Sequence, residues 1–441
     1  MGESADIENQ FWTGRWPLRL VLGFLAGLFL LNRSPFVGFN DGMSFLYAAE
    51  TGFDLGTNAT SHFLYNNLQH ILVKVFFFVP PVLLLTLFSI VCSLIALWLF
   101  AKIAGLFSRN HFAIAAATLL LGVSFTFWQQ SEIIEVYAFN NMLFLSYVWL
   151  ALRDVLKLKG RDNALFVSLL LGIGLLTHIQ HILSIPFFLI YLWKGDFLSV
   201  KRKVLLMLPW MSLMSILFIL PMALKTHSLG AVFVESQFKQ DVFGLQPMVL
   251  LKGIGLGFGM LFYNFILGLV FVLMGWRRML KESKESAYWL LALLVPYAGF
   301  AFKYSVNDNH VFFLCAYFIL LLPAVLSLEK VTGNTKRGGI LGGLILVPIA
   351  TYWMMTIFAL QVPQLAKYDE LKAYKGGVHH LFWPGKASAP DPLQLALEIQ
   401  HDPNDNAARL RSEWNYETAI QYLEFKGQTA DSTQPFIYFE F

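Results

Sequence analysis

The chain has 441 residues, 57% of them hydrophobic and only 14% charged, with a formal net charge of +4. So little polar side chain cannot cover a water-facing surface, which excludes an ordinary soluble globule. The Lys and Arg residues fall mostly in short loops between apolar runs, which excludes a nucleic-acid-binding face.

In chain order, the apolar runs predict membrane spans at 17–32, 80–106, 110–128, 134–152, 164–178, 180–193, 204–224, 248–275, 287–302, 310–327 and 338–359, about eleven in all. No small-residue cleavage motif follows the first run, so Pro17 to Leu31 reads as an uncleaved anchor. Between the first and second spans lies a long loop, Arg33 to Val79. In it Leu64, Leu68, Ile71, Leu72, Val75 and Phe76 recur at helical spacing, interleaved with Asn66, Gln69, His70 and Lys74. That pattern predicts an amphipathic helix on the membrane surface. The segment Ala164 to Trp193 is short for two spans, yet basic loops on both sides require a return, so two short helices are expected to meet near Thr177 to His181. A further loop, Lys225 to Pro247, carries Glu235, Lys239 and Asp241. The Gly253, Gly255, Gly257, Gly259 run opens an apolar span with no preceding strand and is read as close helix packing. Residues 361–441 are richer in Pro, Asp, Asn, Gln and Glu and form a predicted small C-terminal domain after a transmembrane domain of residues 1–360. Leu393, Leu395, Ala396 and Ile399, then Ala407 and Leu410, predict two short helices, and Phe436 to Phe439 a last strand.

Alternate loops differ sharply in basic residues. One set holds clusters such as Arg153, Lys157, Lys159 and Arg161, Lys201 to Lys203, and Arg277, Arg278, Lys281 and Lys284; the other, before the tail, holds only Arg33, Lys74, Lys225, Lys239, Lys252 and Lys303. The positive-inside rule then puts the amino terminus in the cytoplasm and the tail outside. Cys92 and Cys315 lie inside apolar runs, so no disulfide framework is expected.

A charge at the centre of a span costs roughly 2.5 to 3.5 kcal/mol, so the positions of polar groups carry information. On this topology they gather externally: Asp41 and Glu50 after the first span, Glu132 and Glu135 after the third, His178 and His181 after the fifth, Asp308 and His310 before the tenth. Asp41 could take a proton from an attacking hydroxyl, although Asn40-Asp41-Gly42 also reads as a turn. Glu135 and Tyr137 could bind substrate or simply anchor at the headgroup level. His178 could hold a phosphate or join two helices, and His181 likewise. Asp308 and His310 could belong to the same site or to an ordinary Asn-rich loop. No His-Glu-x-x-His, Gly-x-Ser-x-Gly or phosphate-cradling glycine loop is present.

The stretch Gly122-Val123-Ser124-Phe125-Thr126-Phe127-Trp128-Gln129-Gln130-Ser131-Glu132-Ile133-Ile134-Glu135-Val136-Tyr137-Ala138-Phe139-Asn140 resembles the signature of a bacterial GT-C-like polytopic membrane family. That family is related to the eukaryotic endoplasmic-reticulum O-mannosyltransferase of plexin-type ectodomains. An Asp soon after the first span with Leu64-Tyr65 downstream, Gly174-Leu175 followed by His178 and Pro186, and Asp308 followed by Val311-Phe312-Phe313-Leu314 agree with it. The resemblance covers roughly residues 20–195 and 300–325. It differs where the family shows Asp-x-x-Glu, since this chain has Asp41-Gly42-Met43-Ser44. It differs again where the family shows His-Pro-Pro-Gly-Tyr-Pro-Leu-Tyr, since this chain has Asn58-Ala59-Thr60-Ser61-His62-Phe63-Leu64-Tyr65.

The resemblance implies an all-α polytopic membrane protein with a long first external loop, in a bacterial inner membrane with a periplasmic C-terminal domain. It implies a glycosyltransferase that moves a sugar from a polyprenyl-phosphate donor to a hydroxyl of an envelope protein or glycan, protein O-glycosylation among the options. Asp41 is then the base, and Tyr65, Trp128, Glu135, Tyr137, His178, His181, Asp308 and His310 line the substrate site. No cofactor is implied: the polyprenyl-phosphate sugar is a substrate, and a divalent metal stays open. Membrane lipid is the expected surrounding and other membrane subunits are possible partners; nucleic acid is not. The alternative is a non-catalytic relative that serves as an assembly partner in an envelope complex, which the Ser44 position favours. A transporter, which would want charges or broken helices near mid-membrane, ranks last.

Overall fold

A computed structural model describes residues 16–54, 62–156, 163–194, 199–215, 220, 223–224, 244, 246–266, 268–304, 309–331, 337–385, 390–401, 410–411 and 414–427. Among them there are helices and connections but no strand. In chain order the helices are α1 (Trp16–Asn32), α2 (Gly42–Thr51), α3 (Phe63–Val75), α4 (Pro81–Ala104), α5 (His111–Gly122), α6 (Phe125–Ser131), α7 (Val136–Val155) and α8 (Ala164–Thr177). After a 3-10 turn, Ile179–Ser184, come α9 (Ile185–Lys194), α10 (Val200–Met214), α11 (Pro247–Phe265), α12 (Gly268–Glu282) and α13 (Lys284–Lys303). A second 3-10 turn, Asn309–Phe313, leads into α14 (Leu314–Leu321), α15 (Ala324–Val331) and α16 (Arg337–Ala359). The tail adds α17 (Pro363–Leu371), α18 (Gly377–Phe382), α19 (Pro392–His401) and α20 (Tyr416–Phe425).

Local chemistry explains several of these boundaries. Pro81 and Pro247 stand in the first turns of α4 and α11, where the missing N–H costs nothing. Asn110 Oδ1 accepts from Phe112 N and Ala113 N at 3.1 Å each, capping α5. By length and composition α4, α11, α13 and Gly342–Ala359 of α16 can each cross a membrane. The described residues reach six such spans if the α5–α6 pair, bent by 73°, and the Asn309–Lys330 pair, bent by 46°, each count as one. Shorter apolar helices are α1, α8 and Ile179–Lys194. The chain is an all-helical, multi-pass membrane protein.

The helices also depart from the predicted spans. The expected 248–275 span is two helices, α11 and α12, parted at Ile266, whose φ of +38° no β-branched residue adopts readily. The Asn264 side chain beside this break holds a third element: its Oδ1 accepts from Thr126 N at 2.8 Å, satisfying an N–H freed by the α5–α6 bend. The first-loop helix forms as expected and shows which side is which. In α3 the polar face, with Asn66, Gln69 and His70, is buried in the protein, while Ile71 and Val75 and the following Phe76, Phe77 and Phe78 are exposed. In a membrane protein an outward apolar face meets lipid, so the buried side is the polar one. The glycine run packs as read. A Cβ on Gly253 would meet the Phe302 carbonyl and one on Gly257 the Phe302 ring, whereas Gly255 and Gly259 face nothing within 4 Å.

The predicted short helix around Ala407 and the strand at 436–439 lie outside the described residues, as does most of the Lys225 to Pro247 loop.

Candidate functional site

The 73° bend turns α6 away from α5, and the turn to α7 holds Glu132 and Glu135 in the interior, 2% and 5% exposed. The loop after α1 packs on this turn. Ser34 N donates to the Glu132 carbonyl at 3.1 Å, and a Cβ on Gly42 would stand 2.9 Å from the Ile134 carbonyl. Only glycine fits there, and this seats Asp41 at the start of α2. Its side chain is exposed and makes no capping hydrogen bond.

Around this seat stands a first cluster. His62, in a left-handed conformation at φ 50°, donates from Nδ1 to the Thr177 carbonyl at 3.0 Å, leaving Nε2 as its free nitrogen. Its ring centroid is 5.0 Å from that of His178. His178 Nδ1 accepts from Gln180 N at 3.1 Å, so the neutral ring carries its proton on Nε2. Tyr137 and Phe312 pack on His178 at 5.6 and 6.1 Å, and Phe45 on His62 at 5.6 Å. Burial lowers the His62 pKa, opposed by the Thr177 carbonyl and by the charge of Asp41. Tyr65, buried against Phe45 and Phe139, is raised well above its ordinary range, by burial first and by the charge of Glu135 next. Asp41, Tyr65, Glu135, Tyr137 and His178 are thus brought to one place, and His62 joins them.

A second cluster lies along the same two strips of chain. Trp128 Nε1 donates to the Glu132 carboxyl, whose pKa burial raises well above the usual range. His310 Nε2 donates to Gln129 Oε1 at 3.2 Å, and the other end of that amide donates to the His380 carbonyl at 3.5 Å. Trp383 packs on Trp128 at 5.8 Å. Burial, with Lys375 adding to it, pushes His380 down to about 4. Trp128 and His310, expected in the same substrate site as Asp41, therefore stand in a separate group closed over by the tail. His181 adjoins the first cluster: its backbone N donates to the His178 carbonyl at 3.1 Å, while its ring lies on Gly174, where a Cβ would come within 2.4 Å, and beside Phe144. Asp308 lies outside the described residues. Among the described residues no three His, Cys, Asp or Glu side chains gather as a metal site requires.

His62, Gln129, His380 and Trp383 were not singled out in sequence. His62 alone carried a signal, as the residue standing where the resembled family has Tyr. The others come from segments that nothing in their spacing connects.

The tail grips the first loop. Tyr422 Oη donates to Glu50 Oε1 at 2.5 Å and Lys426 forms an ion pair with the same carboxylate. Asn415 Nδ2 donates to the Asn40 carbonyl at 3.0 Å, and Trp414 and Tyr374 pack on Phe39 at 5.0 and 5.3 Å.

No family model matches this sequence, and no curated protein does. Solved structures do match in fold. The Archaeoglobus fulgidus oligosaccharyltransferase, crystallised with Zn and sulfate, is 13% identical with a TM-score of 0.51; 96% of this chain and 59% of that one are covered. The same organism's oligosaccharyltransferase AglB, in complex with an inhibitory peptide and a dolichol-phosphate, is 12% identical with a TM-score of 0.53, covering 98% of this chain and 62% of that one. This chain spans about three fifths of the length of those proteins. At that identity the likeness is one of fold, and the fold of this chain is GT-C-like.

Proposed function

We propose that this chain is a membrane glycosyltransferase that moves a sugar from a polyprenyl-phosphate donor to a hydroxyl of an envelope acceptor, with Asp41 as the base. The observation that carries the reading is the seat of Asp41: an exposed carboxylate with no cap bond, whose charge acts on His62, itself 5.0 Å ring to ring from His178, in a GT-C-like fold. AglB was solved with a dolichol-phosphate and a peptide, which supports a lipid-phosphate donor and a protein acceptor for this chain too. The acceptor oxygen attacks the anomeric carbon as its proton passes to Asp41. The bond from that carbon to the phosphate oxygen breaks, and the polyprenyl phosphate leaves as an anion. A hydrogen bond from His178 Nε2, and one from His62 Nε2 when protonated, would meet that phosphate. Glu135, Tyr137 and Tyr65 wall the sugar. The setting is a bacterial inner membrane with the amino terminus cytoplasmic and residues 361–441 a periplasmic domain.

The test uses the purified full chain in nanodiscs with synthetic polyprenyl-phosphate sugars. Asp41→Asn is expected to fold and insert normally while lowering transfer by roughly 10²- to 10⁴-fold, the usual contribution of a placed base. Transfer unchanged in that variant rejects Asp41 as the base.

One observation favours a second reading, a non-catalytic assembly partner: Ser44 stands where the resembled family carries a second carboxylate. In that case deletion of the gene leaves every envelope glycan intact while an envelope complex fails to assemble.

A further inference from the structure

The helix that starts at Asp41 cannot hold its own geometry. α2 has ten residues, shorter than the ~12–15 that make an isolated helix even marginal in water, and its N-cap side chain makes no capping hydrogen bond. Its direction must come from what it touches. One wall is the Ile134 carbonyl against Gly42. A second is α3, whose Tyr65 packs on Phe45 at 5.0 Å and whose His70 Nδ1 donates to the Ala49 carbonyl at 2.7 Å. Further contacts come from the tail, and they fall at both ends of the helix. At the start, Trp414 and Tyr374 pack on Phe39, and Asn415 donates to the Asn40 carbonyl, the residues just before Asp41. Toward the other end, about 13 Å along at 1.5 Å per residue, Glu50 meets Tyr422 and Lys426, and Phe425 packs on Tyr47 at 6.4 Å.

The Glu50 contact is the costly one to lose. Its side chain is only 8% exposed, and its described partners, one cation and one hydroxyl, both come from α20 and the turn that follows. A buried carboxylate stripped of its partners is strongly unfavourable, so the tail holds the Glu50 end of α2 where it stands. The same carboxylate raises the pKa of the Tyr422 hydroxyl, after burial, keeping it a donor.

We propose that the segment Trp414–Lys426 is a two-ended clamp on α2 and that Glu50, Tyr422 and Lys426 are positioning residues that set where Asp41 stands. The clamp assigns the tail a part in the reaction without touching substrate. It rests on the glycosyltransferase reading for its effect on turnover, but not for its effect on α2.

The test pairs hydrogen exchange with transfer in the full chain. Tyr422→Phe and Lys426→Met are expected to speed amide exchange in residues 42–51 while α4 and α7 stay protected. Turnover is expected to drop about tenfold in Lys426→Met, as a small misplacement of a reacting group does, with the KM for the donor unchanged. The exchanged pair, Glu50→Lys with Lys426→Glu, is expected to restore most of both. Exchange in 42–51 unchanged in both single variants overturns the clamp, and so does full turnover in a variant whose α2 has loosened. If exchange responds and is rescued but the unmutated chain transfers no sugar, the clamp stands and the glycosyltransferase reading fails.

Discussion

Two polar clusters are built on the same two strips, the turn from Trp128 to Tyr137 and the one from His310 to Phe312, yet they differ in kind. In the cluster around His62 and His178, each Nδ1 is tied to the backbone and an exposed carboxylate, Asp41, stands nearby with no cap bond. In the cluster around Gln129, both ends of the amide are engaged, Glu132 holds an indole N–H, and Trp383 and His380 of the tail close over it. The first arrangement leaves ring nitrogens and a carboxylate to meet a ligand; the second consumes its hydrogen-bonding capacity internally. Polar groups in a membrane bundle are therefore not all site, and satisfaction of their partners is what separates the two kinds.

Carboxylate-to-amide exchange breaks the comparison most sharply. Asp41→Asn removes a base and costs transfer roughly 10²- to 10⁴-fold. Glu132→Gln is expected to keep transfer within a few-fold, because burial already favours the neutral carboxyl and the amide oxygen still accepts from Trp128. Equal losses in the two variants would erase the distinction between the clusters.

The imidazoles give a smaller contrast. His62→Gln is expected to weaken binding of a short-chain prenyl phosphate about tenfold, the loss of one charge-assisted hydrogen bond. His310→Gln should leave that binding alone and lower thermal stability instead, by about 1 kcal/mol. Titration calorimetry and thermal unfolding on both variants check the pair.

The pH dependence of stability sharpens it further. Glu132 has a folded pKa raised above its model value of 4.5, so the folded state binds its proton more tightly than the unfolded state does. Its contribution is present below the unfolded value and is lost as pH rises from there toward the folded pKa. Glu132→Gln should flatten that decline, measured as melting temperature against pH. A steeper decline in the variant contradicts a buried neutral carboxyl.

Smallest in reach is a control on packing away from both clusters. Gly253→Ala is expected to destabilise by about 1–3 kcal/mol through its clash with the Phe302 carbonyl, whereas Gly255→Ala, with open space in mid-helix, is expected to stabilise by about 0.4–1 kcal/mol. Similar melting temperatures for the two would mean that α11 does not pack on α13 as described.

Composition and run length were enough to read an all-helical, multi-pass membrane protein, because lipid accepts only segments whose backbone is satisfied within themselves, and such segments announce themselves as long apolar runs. The periodicity of residues 64–76 was likewise enough for an amphipathic helix. Which face of it turns inward was not readable, since that depends on whether the neighbouring medium is water, lipid or protein. The break at Ile266 was hidden inside one continuous apolar run, because a positive φ leaves no mark on hydropathy. Asp41, Glu135, Tyr137 and His178 could be picked out one at a time as polar groups in costly places. Their separation from Trp128 and His310, the arrival of His62, and the hold of Tyr422 and Lys426 on Glu50 depend on contacts between residues up to 376 positions apart. Tertiary packing alone decides such contacts, because spacing along the chain constrains only neighbours within a turn or two of helix.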